Sequence, residues 1–244
     1  MSFNKFMLYK EIPHPDVPLR IINRGVVDPV NGNYEVTVRG GTSSIYQEDS
    51  AFRLLYKKRD MDEWKTVPSA VGLKIEGEGN YIDFKFTRSG NHNSQMNTTG
   101  IGHFRFFLGG FYSEVQGNID NFLPYGNSQC GFGLFSGNIY LQHASGLTLG
   151  SIGAGANSVY MHMFNACTGL KTPPVIDVSN TVLHNYCFAS MFNNCQSLTA
   201  APDFHINKPL PDHCFWYTFY NCRSLTKTSP LVIDEFILNA TNVC

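Results

Sequence analysis

Seven cysteines and eight histidines are the side chains in this sequence best equipped for chemistry. The cysteines (130, 167, 187, 195, 214, 222 and 244) all lie in the second part of the chain. A zinc site needs closely spaced thiolate and imidazole ligands, and the sequence has neither a C-x-x-C nor a Cys/His cluster of finger spacing, so no metal is expected. A nucleophilic pair at His213-Cys214 is disfavoured, because adjacent side chains on a strand point to opposite faces. The odd cysteine count and in-phase spacing read as small apolar residues buried in a repeat. Outside the cell, Cys187–Cys195 and Cys214–Cys222 become candidate bridges.

Other chemistry-bearing patterns are equally thin. Asp177 and Asp234 recur in an Ile-Asp phrase, which reads as a turn or inter-repeat hydrogen bond rather than a paired-carboxylate site. Gly131-Phe132-Gly133 and the GSIGAG run at 150–155 lack the strand-then-helix context of a dinucleotide fingerprint, and read as turns. The expectation is therefore no enzyme, no catalytic residue and no cofactor. One surface candidate stands out in Phe215-Trp216-Tyr217. On a strand at least one of these rings faces outward, making Trp216 a candidate carbohydrate or protein contact.

What positions these residues is a repeat. The phrase at 163–171 (MFNACTGLK) recurs at 191–199 (MFNNCQSLT) and at 218–226 (TFYNCRSLT), with a degenerate earlier copy at 134–141 (LFSGNIYL). Phe135, Phe164, Phe192 and Phe219 advance by 29, 28 and 27 residues. A unit this short cannot bury its own apolar face, so successive units must stack. Phe135, Phe164, Phe192 and Phe219 are then inward, with Cys167, Cys195 and Cys222 and Leu170, Leu198 and Leu225 forming parallel ladders. Thr168, Gln196 and Arg223 take the outward phase.

Upstream, the pattern is period two. Runs at 34–38, 51–58, 71–76 and 81–87 read as short strands, and 103–108 with 111–115 as a hairpin across Gly109-Gly110, giving an antiparallel sandwich. The three prolines of EIPHPDVPLR (11–20) read as an extended arm. Charge divides the chain in the same way, with 25 of 37 charged side chains before residue 91 and only Lys171 between 121 and 176. The fold expectation is mostly β: an extended N-terminal arm over 1–25, a β-sandwich-like domain over 26–128, and a repeat solenoid of about four units over 129–244. A net charge of −1 argues against a nucleic-acid partner, and no apolar run is long enough for membrane insertion.

The F-x-x-C-x-x-L-T phrase, followed by a Pro and a Leu-containing stretch ending in Cys, resembles leucine-rich repeats of the Bacteroides surface-antigen (BspA-like) type over roughly 130–244. The units here are longer than that type's usual length. Before them, Thr98-Thr99-Gly100-Ile101-Gly102-His103-Phe104 and Val115-Gln116-Gly117-Asn118-Ile119 are similar to a β module found ahead of such repeats in surface and phage proteins of gut bacteria. Asp120–Leu123 departs from the usual wording, and Asn138 stands where later units have Cys.

The resemblance implies a short leucine-rich-repeat solenoid in a structural and adhesive protein. MSFNKFMLYK is no signal peptide, and the last unit breaks off at Cys244 without a polar cap, so either a partner subunit covers that end or the natural chain continues. The leading expectation is a component of a bacteriophage virion, a head fibre or tail-associated protein at the virion surface. It would be a homo-oligomer held by capsid or tail proteins, presenting its repeats for host attachment to a surface protein or glycan. The alternatives are a leucine-rich-repeat adhesin on the bacterial cell surface and, third, a polysaccharide-acting enzyme with a repeat appendage.

Overall fold

A computed structural model describes residues 18–40, 52–68, 72–88, 106–119, 122, 131–150, 157–179, 182–206, 209–227 and 232–233. The protein is mostly β, and among the described residues there is no α-helix. Among the described residues, twelve strands form two sheets: β1 (Leu19–Ile22), β2 (Tyr34–Gly40), β3 (Phe52–Lys58), β4 (Lys65–Thr66), β5 (Leu73–Ile75), β6 (Tyr81–Arg88), β7 (Phe106–Gly110), β8 (Glu114–Asn118), β9 (His143–Leu149), β10 (Val175–Asp177), β11 (Phe204–Ile206) and β12 (Val232–Ile233). The larger sheet has nine strands in the order β12-β11-β10-β9-β8-β1-β6-β3-β4, and the smaller runs β5-β2-β7.

Alternation explains the first part. Leu19 and Ile21 of β1, Ile82 and Phe84 of β6, and Val36 and Val38 of β2 turn into a core shared by both sheets. Each large side chain removed from water contributes about 1.5–3 kcal/mol. On the opposite side of β1, Arg20 lies across from Asp83 in register and binds it through Nε and Nη2 at 2.7 and 2.9 Å. Its guanidinium also lies 3.8 Å from the centre of the Tyr81 ring.

Two expectations change here. Leu19–Ile22, assigned from sequence to the 1–25 arm, is a buried central strand antiparallel to both β6 and β8. A strand of four residues directly after a proline run carries too short an alternation to register as one; residues 1–17 lie outside the described residues. The expected hairpin across Gly109-Gly110 also does not form. β7 joins β2 in the small sheet while β8 joins β1 in the large one. Gly110 makes this crossing with φ +111°, and a Cβ there would sit 2.0 Å from the Glu35 carbonyl oxygen.

β8 is the joint of the molecule, antiparallel to β1 on one side and parallel to β9 on the other. From there β9, β10, β11 and β12 pair in parallel, one strand per repeat. A single sheet therefore runs from the charged N-terminal part into the stack.

Away from the strands, each unit is a train of tight turns. The N–H groups of Met161, Met163, Asn165 and Cys167 donate to carbonyls three residues back. Those of Ser158, Tyr160, His162, Phe164 and Ala166 donate instead to Asn185, Cys187, Ala189, Met191 and Asn193 of the next unit. Tyr186, Phe188, Ser190, Phe192 and Asn194 repeat this toward Asp212, Cys214, Trp216, Thr218 and Tyr220. Turn and stacking bonds thus alternate along the chain, and the backbone donors are satisfied without helix or strand. Every fourth residue stands at positive φ, the conformation a type II turn needs at its third position: Ser158, His162 and Ala166, then Tyr186, Ser190 and Asn194, then His213, Tyr217 and Asn221.

Candidate functional site

The inward ladders lie where the repeat phase predicts. Phe135 stacks on Phe164 (5.2 Å between centroids), Phe164 on Phe192 (5.5 Å) and Phe192 on Phe219 (5.5 Å), the last two pairs within 4° of parallel. A second column, Tyr160–Phe188–Phe215, runs beside it at 5.8 and 5.4 Å. Leu170 and Leu198 are fully buried, while Leu225, Cys222 and Phe219 of the last unit are only partly covered.

The cysteines do more than fill space. The Cys167 thiol donates to the Phe135 carbonyl at 3.0 Å, Cys195 to Phe164 at 3.1 Å, and Cys222 to Phe192 at 3.0 Å. Each Phe carbonyl also accepts the N–H that closes its own turn, from Asn138, Cys167 and Cys195 respectively. Thr218 repeats this geometry one turn earlier, with its hydroxyl donating to Phe188 at 2.9 Å. A carbonyl one unit back is thus met by a thiol at one turn and, in the last unit, by a hydroxyl at the turn before it. Asn138 holds the cysteine position in the first unit, where no earlier unit offers a Phe carbonyl. Its Oδ1 accepts from the N–H groups of Tyr140 and Leu141.

None of these thiols is set up to react. Cys167, Cys187, Cys195, Cys214 and Cys222 are free, and neither Cys187–Cys195 nor Cys214–Cys222 is bridged. Cys187 and Cys214 instead hold equivalent positions in successive units, and both are buried. Burial pushes the Cys167 thiol up to about 12 and raises Cys187, Cys195 and Cys222 as well, the reverse of what a nucleophile needs. His213 and Cys214 do diverge, but across a turn: the His213 ring lies on Tyr186 while Cys214 faces the core. Asp177 holds its own turn through the Ser179 hydroxyl at 2.8 Å; Asp234 lies outside the described residues. Among the described residues, no group of three or more His, Cys, Asp or Glu could hold a metal ion, and no helix could cross a membrane.

The outward face of the turns is different. Phe215-Trp216-Tyr217 lies in turns rather than on a strand, so Trp216 and Tyr217 both face out while Phe215 joins the inner column. Trp216 is 39%, Tyr217 48% and Tyr220 62% exposed, a rare concentration of large rings in water. They hold one another: Tyr186 lies flat on His213 (4.9 Å), Trp216 meets both edge-on (6.3 and 5.9 Å), and Tyr217 contacts Trp216 (4.8 Å) and Tyr220 (5.3 Å). Beside them runs a row of amides. Asn194 Oδ1 accepts from Asn221 Nδ2 (2.7 Å) and Gln196 Nε2 (2.9 Å), and Asn221 Oδ1 from Arg223 Nε (2.9 Å).

Sequence reasoning singled out Trp216 alone and missed Tyr186, His213, Tyr217 and Tyr220. Their signal was an aromatic phase: Tyr186 and His213 are 27 residues apart, the same step as Phe192 to Phe219. On the first part of the molecule, a cleft of about 220 Å³ lined by Lys58, Arg59, Asp60, Glu76, Asn80 and Tyr81 mixes both charge signs without converging on a point.

Compared with protein-family models, with curated proteins and with solved structures, the chain matches none.

Proposed function

We propose that this chain is a non-enzymatic structural and adhesive component of a bacteriophage virion, a head fibre or tail-associated protein. Its two-sheet N-terminal part is a β-sandwich that anchors it to capsid or tail proteins. Its stacked part is a leucine-rich-repeat solenoid of the Bacteroides surface-antigen type that presents the turn face to the host. The protein acts as a homo-oligomer at the virion surface.

One observation carries this reading: the nine-stranded sheet passes without interruption from β4 to β12 through β8. An attachment protein must transmit force between its anchor and its binding face. A continuous hydrogen-bonded sheet does so without a flexible linker between them. Gly117 keeps that joint tight, because a Cβ there would lie 2.0 Å from the Pro18 carbonyl oxygen. The buried, proton-holding thiols and exposed rings also suit a binding role better than a catalytic one.

The test is to purify particles from cultures in which the gene is expressed, measure their protein composition, and locate the chain by immunogold electron microscopy. Fixed stoichiometry with label at one site on the particle is expected. Recovery only with the bacterial envelope, and absence from every particle, would overturn the reading in favour of a cell-surface adhesin.

A further inference from the structure

We propose that the exposed rings Trp216, Tyr217 and Tyr220, with Tyr186 and His213 beneath them and the Asn194–Asn221 amide row alongside, bind a neutral glycan through the apolar faces of its sugar rings. This deepens the adhesive half of the reading above by naming the site and the ligand class.

The first argument is backbone geometry. His213 and Tyr217 occupy corners at φ +56° and +53°, and Tyr186 one at +59°. Left-handed backbone is unfavourable for residues with a bulky side chain, and glycine adopts it freely. The fold itself accepts glycine at these corners: Gly133 holds in the first unit the corner that Tyr217 holds in the last, and Gly137 the one that Asn221 holds. Tyr217 is half exposed and closes no core, so the stack gains little from its ring. The positive φ belongs to the turn, since Ser158, Ala166 and Ser190 share it; what sets Tyr217 apart is a large ring at that corner left in water.

The second argument is the chemistry of the surface. Trp216 is braced by Tyr186, His213 and Tyr217, so its orientation is set before any ligand arrives and little rotamer freedom remains to be lost. A pyranose has an apolar C–H face and a rim of hydroxyls, each both donor and acceptor. Flat rings suit the face, and amides held by one another suit the rim. Charge selects among glycans. Asp212 and Arg223 are the ionised side chains on this stretch, one at each end and of opposite sign, which gives a uronic or sialic acid no net attraction.

The test uses the whole chain on immobilised neutral oligosaccharides of gluco, manno and galacto configuration, with sialylated and sulfated counterparts alongside. At least one neutral series should be retained tenfold or more over its charged counterpart. Trp216→Ala should lose at least tenfold of that binding, while Trp64→Ala, on the far part of the molecule, keeps it. Tyr217→Gly separates binding from structure: binding falls, yet the unfolding midpoint does not, because the corner is relieved. Retention of charged glycans alone, of no glycan, or of protein ligands only would overturn the proposal, as would a fall in midpoint for Tyr217→Gly. Failure here, with the chain still present in particles, would leave the virion reading standing. Absence from particles with glycan binding intact would sink only that reading.

Discussion

The two ends of the nine-stranded sheet are built by different rules. From β8 to β4 neighbours are antiparallel, pairs join residues as far apart as Arg20 and Gln116, and each contact is unique. From β8 to β12 neighbours are parallel, and from β9 onward the pairings repeat at steps of 27–28 residues. In the first half, specificity comes from individual cross-strand partners such as Arg20 and Asp83. In the second it comes from phase, because a one-residue slip would take Phe, Cys and Leu out of their columns together. The stack can therefore dispense with charge, while the antiparallel half uses it on its open face. Inward positions of the stack are tied to their neighbours above and below, whereas the corners vary from Gly to His, Ser and Tyr, buried at Gly133 and Ser190 and exposed at Tyr217, without disturbing the bonds between units.

The two halves should differ most when one column is emptied. Phe192 has a ring above and a ring below and is fully buried. Phe192→Ala should destabilise the stack by about 3–5 kcal/mol, the cost of removing a large core aromatic. Hydrogen exchange should show protection lost first at the N–H groups of Phe164 and Phe192, with β1 and β6 protected longer. Simultaneous loss in both halves would mean that the continuous sheet makes them one cooperative unit.

Alkali offers a second, smaller lever. The Cys167 thiol, raised to about 12 by burial from an ordinary 9.0, keeps its proton in the folded chain while the unfolded chain gives it up above pH 9. Unfolding then releases a proton, so stability falls as pH rises between those values, by about 1.4 kcal/mol per pH unit for this group. Denaturant melts between pH 8 and 10.5 should show a shallower decline in Cys167→Ala than in the parent. An unchanged slope would mean that the thiol is not closed off from solvent. No described cysteine lies in the antiparallel half, so its unfolding should lack this contribution.

How much of this could be read from the sequence also follows the divide. The columns were legible because repetition multiplies a weak signal: one Phe-x-x-Cys is noise, and three at a fixed step are a constraint. Even so, the role of the cysteines was only half visible. Spacing shows that they are buried, but their S–H donation to a Phe carbonyl one unit back is a fact of stacking. The antiparallel half offered no such averaging. Four residues of β1 behind a proline run looked like an arm, and Gly109-Gly110 looked like a hairpin turn because a crossing between sheets needs the same glycines. The aromatic face was missed for a third reason. A strand would send neighbouring rings to opposite sides, whereas consecutive turns send Trp216 and Tyr217 to the same one.

The smallest test sets one arginine from each half against the other. Arg20 makes two charge-assisted bonds to Asp83 and covers the Tyr81 ring, with its side chain 33% exposed and that of Asp83 only 9%. Partial exposure weakens such a pair, so Arg20→Ala should cost about 1–2 kcal/mol. Arg223 is exposed and donates to a single amide oxygen at an outward corner, so Arg223→Ala should cost less than about 0.5 kcal/mol in the unfolding midpoint. Similar losses at both positions would show that the outward corners help to hold the stack. That would remove the separation between columns that hold the stack and corners that do not, because a corner needed for stability is not free to vary.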